Sequence, residues 1–497
     1  LRTRDVLYPI QCFIQEILAM SSEVDVESSD SQATPAPRQM IKNTALTGLA
    51  LGVGAATYFL MPTAMEEGAR RMATIFAIAV VLWVTEAIPL FATSLSVIAL
   101  ASWWVALPQD VGAHMKYQVV FNSLSNPVIF LFLGGFIMAK SVQKHRIDVQ
   151  IAALMLRAFG TRPLAVLAGI MLITALFSMW MSNTATTAMM IIMVQPFVAR
   201  LHQRDNFRKA LILAVPFAAN IGGIGTPIGT PPNAIALAQL QQSGVNISFV
   251  SWMAFAVPLM LISLVLVWAL LVVLFRPRTD RFEVMVESNF KLTPEALTVY
   301  LTFAVTVMLW ITGSLHGIPT EVVAVLPAAV LTVTRVISDK DFNRLEWNIL
   351  MLIAGGVALG DGITSTGLDK WIVAALPSQG LNFFMLTALI GLIGIGMSTV
   401  ISNSVAALIL VPIGLALATG MGSSTIQLQV LAAMCAIMTS FAMSLPISTP
   451  PNAIAYGTGQ IQNRDMLISG GIIGAVATVV VLLTGPFVIE HILTWMS

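Results

Sequence analysis

Two asparagines stand between hydroxyl residues, as Ser182-Asn183-Thr184 and Ser402-Asn403-Ser404. Downstream of each, the heptapeptide Thr-Pro-Pro-Asn-Ala-Ile-Ala appears, at 230–236 and again at 449–455. The first pair is offset by 220 residues and the second by 219. A third pair precedes them: Asn126 through Gly134-Gly135 and Asn348 through Gly355-Gly356. Serine and asparagine oxygens, joined by free backbone carbonyls, are hard neutral ligands that suit an alkali cation. Hydroxyl donors and helix N-termini suit a carboxylate or another oxyanion. The motif segments hold no Lys or Arg. That absence favours an anion whose charge is balanced by a co-bound cation and by dipoles, although a neutral substrate satisfies the same inventory.

The elements that must carry these motifs follow from their surroundings. Asn220–Asn233 contains four glycines and three prolines between apolar helical sequence, and these residues break a helix. Ser444–Asn452 is its counterpart. Irregular backbone at membrane depth survives only inside protein or along a cavity, so both are expected to be helices unwound at mid-membrane. The first Ser-Asn motif is flanked by Arg157 and Arg162 before it and by Arg200, His202, Arg204, Arg208 and Lys209 after it. The positive-inside rule places both flanks in the cytoplasm. Between them the chain runs roughly 17 residues to the tip and roughly 15 back, short for two spans. A re-entrant hairpin with Ser182-Asn183-Thr184 at its tip is expected. Segments 377–384 and 418–428, around the second motif, carry no charge, which places that hairpin's entry on the opposite face. The chain therefore reads as two inverted repeats, 71–275 and 294–491, joined by a cytoplasmic linker at 276–293. A tail at 1–40 and a first transmembrane helix at 41–62 precede them.

Composition sets the class. Apolar residues make up 57 % of the 497 positions and charged residues 10 %, against about 25 % charged in soluble domains. Mean hydropathy is +0.86. The fold class expected is an all-α polytopic membrane protein with roughly eleven transmembrane helices. A net charge of +1 argues against a nucleic-acid surface. Cys12 and Cys435 lie far apart and the five histidines form no metal-binding pattern. Segment 21–39 is acidic and Ser-rich and reads as a disordered cytosolic tail; residues 1–19 are expected to be an upstream extension, with Met20 as the natural start. No signal peptide is expected in 1–20.

Blander readings compete at each position. Small polar residues often line helix contacts in membranes, and a lone Ser-Asn pair would be packing; duplication beside a broken helix favours ligation. Asp361 and Glu86 are acids near membrane depth and hence functional candidates, but their Gly and Pro neighbours suggest helix ends near water. Met189, Met190 and Met193 read as core. Inverted repeats meeting near the midplane imply a secondary transporter.

The paired Ser-Asn tips, the twin Thr-Pro-Pro-Asn segments and their order resemble the divalent-anion:sodium symporter family over about 71–491. The resemblance implies a homodimer in the inner membrane, N-terminus cytoplasmic, with a mobile domain that works as an elevator. It also implies two Na+ sites. One would be Ser178, Ser182, Asn183 and the carbonyl of Gly229; the other Ser398, Asn403 and the carbonyls of Ile401 and Ser448. Substrate carboxylates would meet Ser182, Asn183, Thr184, Ser402, Asn403, Ser404 and Thr449, with Thr230 and Pro450 nearby. Ser404 and Ser398 stand where the family commonly has threonine, which keeps the oxygen and loses a methyl. The expected activity is sodium-coupled import of C4-dicarboxylates such as succinate, malate and fumarate. A sodium-independent exchanger and a carrier of sulfate or another dianion are the alternatives. A channel is disfavoured by two closed hairpins. An enzyme or an ATP-driven pump is disfavoured because no phosphate loop or nucleophile–base constellation is present.

Overall fold

A computed structural model describes residues 37–108, 115–202, 205–278, 281, 293–375 and 382–496. The expected extension, most of the tail and most of the 276–293 linker lie outside the described residues. All regular structure among the described residues is helical. The helices are α1 Pro37–Leu60, α2 Glu67–Thr85, α3 Leu90–Leu100, α4 Pro127–Lys144, α5 Ile147–Ala158, α6 Pro163–Ser178 and α7 Asn183–Arg200. Then come α8 Phe207–Gly222, α9 Pro231–Gln242, α10 Phe249–Leu274, α11 Pro294–Ile311, α12 Thr320–Val333 and α13 Trp347–Ser365. The chain ends with α14 Leu368–Ala375, α15 Phe383–Val400, α16 Asn403–Gly420, α17 Thr425–Thr439, α18 Pro450–Gly457 and α19 Asn463–Met496.

Local chemistry starts these helices where the turns must be. Asn126 accepts from the Val128 amide at 2.9 Å with Pro127 in the first turn of α4, and Asn382 caps α15 through the Met385 amide at 2.8 Å. Ser424 and Gln427 close a reciprocal capping box on α17. Such caps satisfy amides that the helix itself leaves free.

Nine helical segments among the described residues are long and apolar enough to cross a bilayer, and four shorter apolar helices join them. Several of the crossings expected are built from short halves. α8 and α9 share one pass, and α17 and α18 share its counterpart. Burial separates inside from outside. The window over Phe207–Gly225 is 89 % buried, whereas those over Phe249–Leu274 and Pro294–Ile311 are 33 % and 28 % buried. α8 is thus wrapped by protein, while α10 and α11 turn apolar faces outward to where lipid solvates them.

The two repeats interlock. α3 packs on α13 and α12 on α4, each contact joining one repeat to the other. A Cβ on Gly134 would overlap the Ala324 carbonyl oxygen, and one on Gly355 would overlap Ser94; the twin glycine pairs are therefore the crossing points of these helices. α8 packs on α18, α7 on α18, and α9 on both α16 and α17. Each broken helix is thus clamped by the hairpin and broken helix of the other half. One contact is not duplicated: α9 packs against α13 and α4, and α18 makes no contact of comparable extent with α4 among the described residues.

Candidate functional site

The first Ser-Asn motif sits where α6 ends and α7 begins, and the second where α15 ends and α16 begins. Ser182 and Ser402 are the N-caps, accepting at 3.4 Å from the amides of Ala185 and Val405. The broken helices restart at Thr230, the N-cap position of α9, and at Thr449, that of α18, each followed by two prolines; Thr449 Oγ1 accepts from the Asn452 amide at 3.3 Å, whereas the Thr230 side chain makes no capping bond. Proline suits the first turn because its missing N–H would have no partner there.

All four N-caps line one cavity of about 580 Å³, together with Asn183, Thr184, Asn220, Gly229, Asn403, Ser404, Ser448 and Pro450. Every residue expected to meet substrate is in that wall. Each helix N-terminus carries about half a positive charge, so four of them at one cavity favour negative charge there without a basic side chain.

Ser178, Ser398 and Ile401 are not in the wall. Ser178 and Ser398 are fully buried behind it, and Ile401 ends α15 just before the second tip, its amide bonded to the Met397 carbonyl at 2.8 Å. The two serines make matching clusters. Ser178 Oγ lies 2.6 Å from Asn183 Oδ1 and 2.8 Å from the Ala219 carbonyl oxygen. Ser398 Oγ lies 2.6 Å from Asn403 Oδ1 and 2.5 Å from the Thr439 carbonyl oxygen. Each hydroxyl has one proton and faces two acceptors. With the amides so turned, one oxygen–oxygen contact in each cluster has no hydrogen between its atoms, an arrangement that a small cation relieves.

Other hydroxyls and amides hold the unwound backbone. Asn233 Nδ2 donates to the carbonyls of Gly223 at 3.0 Å and Thr226 at 2.7 Å. Asn452 Nδ2 donates to that of Leu445 at 3.0 Å. The fourth residue of each Thr-Pro-Pro-Asn segment therefore ties the restarted helix to the break before it. Thr226 Oγ1 donates to the Met179 carbonyl at 2.5 Å, and Ser448 Oγ to the equivalent Thr399 carbonyl at 2.7 Å. The repeats use different positions for this bond, because Gly229 stands where Ser448 does. A Cβ on Gly229 would overlap the Gly223 carbonyl oxygen, and one on Gly223 would meet Asn183 Oδ1 at 2.7 Å. The glycines let bare backbone approach the first tip.

Four participants escape a motif search. The carbonyls of Ala219 and Thr439 carry no sequence signal at all. Asn220 is fully buried and donates to Thr449 Oγ1 at 3.2 Å and Asn452 Oδ1 at 3.3 Å, joining the halves, while its own Oδ1 has no partner. Its place at the head of the glycine-rich break was the available signal. Glu346 lines the cavity just before α13, in the same wall as Ser182. Burial pushes its carboxyl above the usual range, opposed by Ser182 and by Lys140. Its position two residues ahead of the repeated Asn348 could have marked it.

The two acids weighed from sequence lie elsewhere. Glu86 is exposed and ends α2 with φ 48°. Asp361 lines a second cavity of about 760 Å³, with Asn126, Gln241, Gln242 and Glu321. Met190 is fully buried in the core, with Met189 and Met193 packed against it.

Comparison with known proteins agrees with this geometry. The family model for the sodium:sulfate symporter transmembrane region matches residues 43–495. A protein of Haemophilus influenzae described as an uncharacterised transporter is 33 % identical, over 84 % of this chain and 92 % of its own. The sodium-dependent dicarboxylate transporter SdcS of Staphylococcus saprophyticus is 30 % identical, over 84 % of this chain and 87 % of its own. Its Staphylococcus aureus USA300 counterpart is 31 % identical, over 83 % and 84 %. Among solved structures, the YdaH transporter of Alcanivorax borkumensis shares the fold with a TM-score of 0.55 at 12 % identity, covering 84 % of this chain and 98 % of its own. The chain is a membrane transporter, not an enzyme, and belongs to the sodium:sulfate, or divalent-anion:sodium, symporter family.

Proposed function

We propose that the protein imports C4-dicarboxylates, succinate-like dianions, driven by an inward sodium gradient. The observation that carries this reading is the division of labour at the cavity. Four helix N-termini face the space where an anion fits, and two Ser-Asn-carbonyl oxygen clusters stand directly behind them. Ser182, Asn183, Thr184, Thr230, Ser402, Asn403, Ser404, Thr449 and Pro450 would hold the substrate. Ser178 with Asn183 and Ser398 with Asn403 would anchor two sodium ions, joined by Ser182 and the backbone of Gly229, Ile401 and Ser448. The names of the staphylococcal relatives support both sodium and dicarboxylate. The cavity's size lies within the ordinary range of small-molecule sites.

Coupling follows if sodium sets the two hairpin tips in the geometry that binds the anion, since a ligand shifts a conformational equilibrium only by its differential affinity. With the basic flanks 200–209 inside by the positive-inside rule, the Glu346 end of the cavity would lie on the cytoplasmic side of an inner membrane, and the N-terminus would also be inside. The unmatched packing of α9 on α13 and α4 fits an inward-open state with the outer seam shut. Exchange of the mirror contact, α18 on α4, would give the outward state, moving the paired hairpins and broken helices as an elevator. A homodimer would hold the remaining helices still.

The test is uptake of labelled succinate by proteoliposomes with and without a sodium gradient. Sodium-dependent accumulation is expected. Uptake indifferent to sodium would leave the exchanger, and competition by sulfate stronger than by succinate would leave the inorganic dianion suggested by the family's description.

A further inference from the structure

Among the described residues that line the central cavity, Glu346 is the one charged side chain. A carboxylate in the wall of an anion site is a conflict that the fold has not removed. It shares that wall with Ser182, a hydroxyl at the first tip that a substrate carboxylate would also meet. The base it feels is Lys140, one turn before the end of α4. Lys144, at that end, is committed to Asp341 at 2.6 Å and to the Val336 carbonyl at 2.8 Å. The hairpin tips, both Thr-Pro-Pro segments and the start of α3 offer only neutral side chains to the cavity.

We propose that Glu346 is a specificity-determining residue, a charge filter that admits dianions and turns away anions of higher charge. The idea rests on the anion-transport reading above and deepens it. If two cations accompany the substrate, their charge and that of Lys140 are balanced by Glu346 and a dianion. A trianion leaves one uncompensated negative charge in the cavity. Like charges several ångströms apart at an effective dielectric near 20 repel strongly enough to change affinity about tenfold or more. Ser182 lines the same wall, so the repulsion falls at the tip where one end of the substrate binds.

The test is inhibition of labelled succinate uptake in proteoliposomes at pH 8, where citrate is a trianion, by unlabelled succinate and by citrate. The ratio of the two inhibition constants is compared for wild type, Glu346→Gln, Glu346→Asp and Lys140→Gln. Wild type is expected to favour succinate, Glu346→Gln to narrow the preference by about tenfold, and Glu346→Asp to keep it. Lys140→Gln should widen it. Equal changes in both constants, or an unchanged ratio in Glu346→Gln, would overturn the filter. If Glu346→Gln is inactive, citrate and succinate binding to the purified variant by calorimetry gives the same ratio. Absence of sodium-driven succinate uptake by the wild type would instead strike the transport reading itself.

Discussion

Removing a single oxygen, by Ser398→Ala, probes the cation cluster at its least exposed atom. Ser398 is fully buried, and its Oγ faces Asn403 Oδ1 at 2.6 Å and the Thr439 carbonyl at 2.5 Å. Alanine fills nearly the same volume, so packing changes little and the loss is polar. A hydrogen bond between neutral groups contributes about 1 kcal/mol, and one involving a charge about 1.5–3 kcal/mol. A sodium ion held by this cluster should therefore bind about 2 kcal/mol more weakly, roughly thirtyfold in dissociation constant. The readout is the sodium concentration giving half-maximal succinate uptake, measured at saturating succinate, with sodium-dependent thermal stabilisation of the purified protein as a second measure. Ser398→Thr keeps the oxygen and should stay near wild type. Ser178→Ala, which meets Asn183 and Ala219 in the same way, should give a similar shift. Wild-type sodium dependence in Ser398→Ala would refute the cluster as a cation site, and an effect in only one of the two serines would refute its duplication.

Asn183→Ala and Asn403→Ala each remove a tip amide from the cavity wall; both should abolish uptake while leaving membrane insertion normal, as read by surface-accessible labelling and size-exclusion profiles. Gly134→Ala should push α4 off the Ala324 backbone, and because backbone cannot yield as a flexible side chain does, a loss of folded protein in detergent is expected, whereas Gly48→Ala, with open space around it, should be neutral. Asp341 is held down at about 2: burial works to raise it, but the hydrogen bonds from Lys144 and Ser338 outweigh that. An acid whose folded value is depressed stabilises the fold above its ordinary range and loses that contribution as pH falls through the folded value. Asp341→Asn should accordingly destabilise the fold at neutral pH by no more than about 1 kcal/mol for a pair this exposed, read as a slightly lower Tm, and the difference should shrink between pH 4 and pH 2.

The site was legible to the extent that its chemistry is written in runs of neighbouring residues. Ser182-Asn183 and Ser402-Asn403 announce themselves because an N-cap and the amide beside it are adjacent in sequence, and Thr230 and Thr449 because proline marks a helix restart. Asp361, an acid in an apolar run whose glycine neighbours suggested a helix end near water, lines a different cavity; position along a helix does not say which side of a bundle a residue meets. Ala219 and Thr439 could not be read at all: they act through backbone carbonyls, which every residue owns.

Sequence by itself determined that the chain spans a membrane, that it is a duplicated unit, and which short segments cannot be regular helix, because hydropathy, repetition and glycine–proline content are local properties. Tertiary structure alone decided that four N-caps share one cavity, that Asn220 of one half holds Thr449 and Asn452 of the other, and that Glu346 shares a wall with Ser182. Those pairings join residues more than 160 positions apart. They depend on how interlocked helices pack, and the packing is set by the whole set of crossing contacts and by no single stretch of residues.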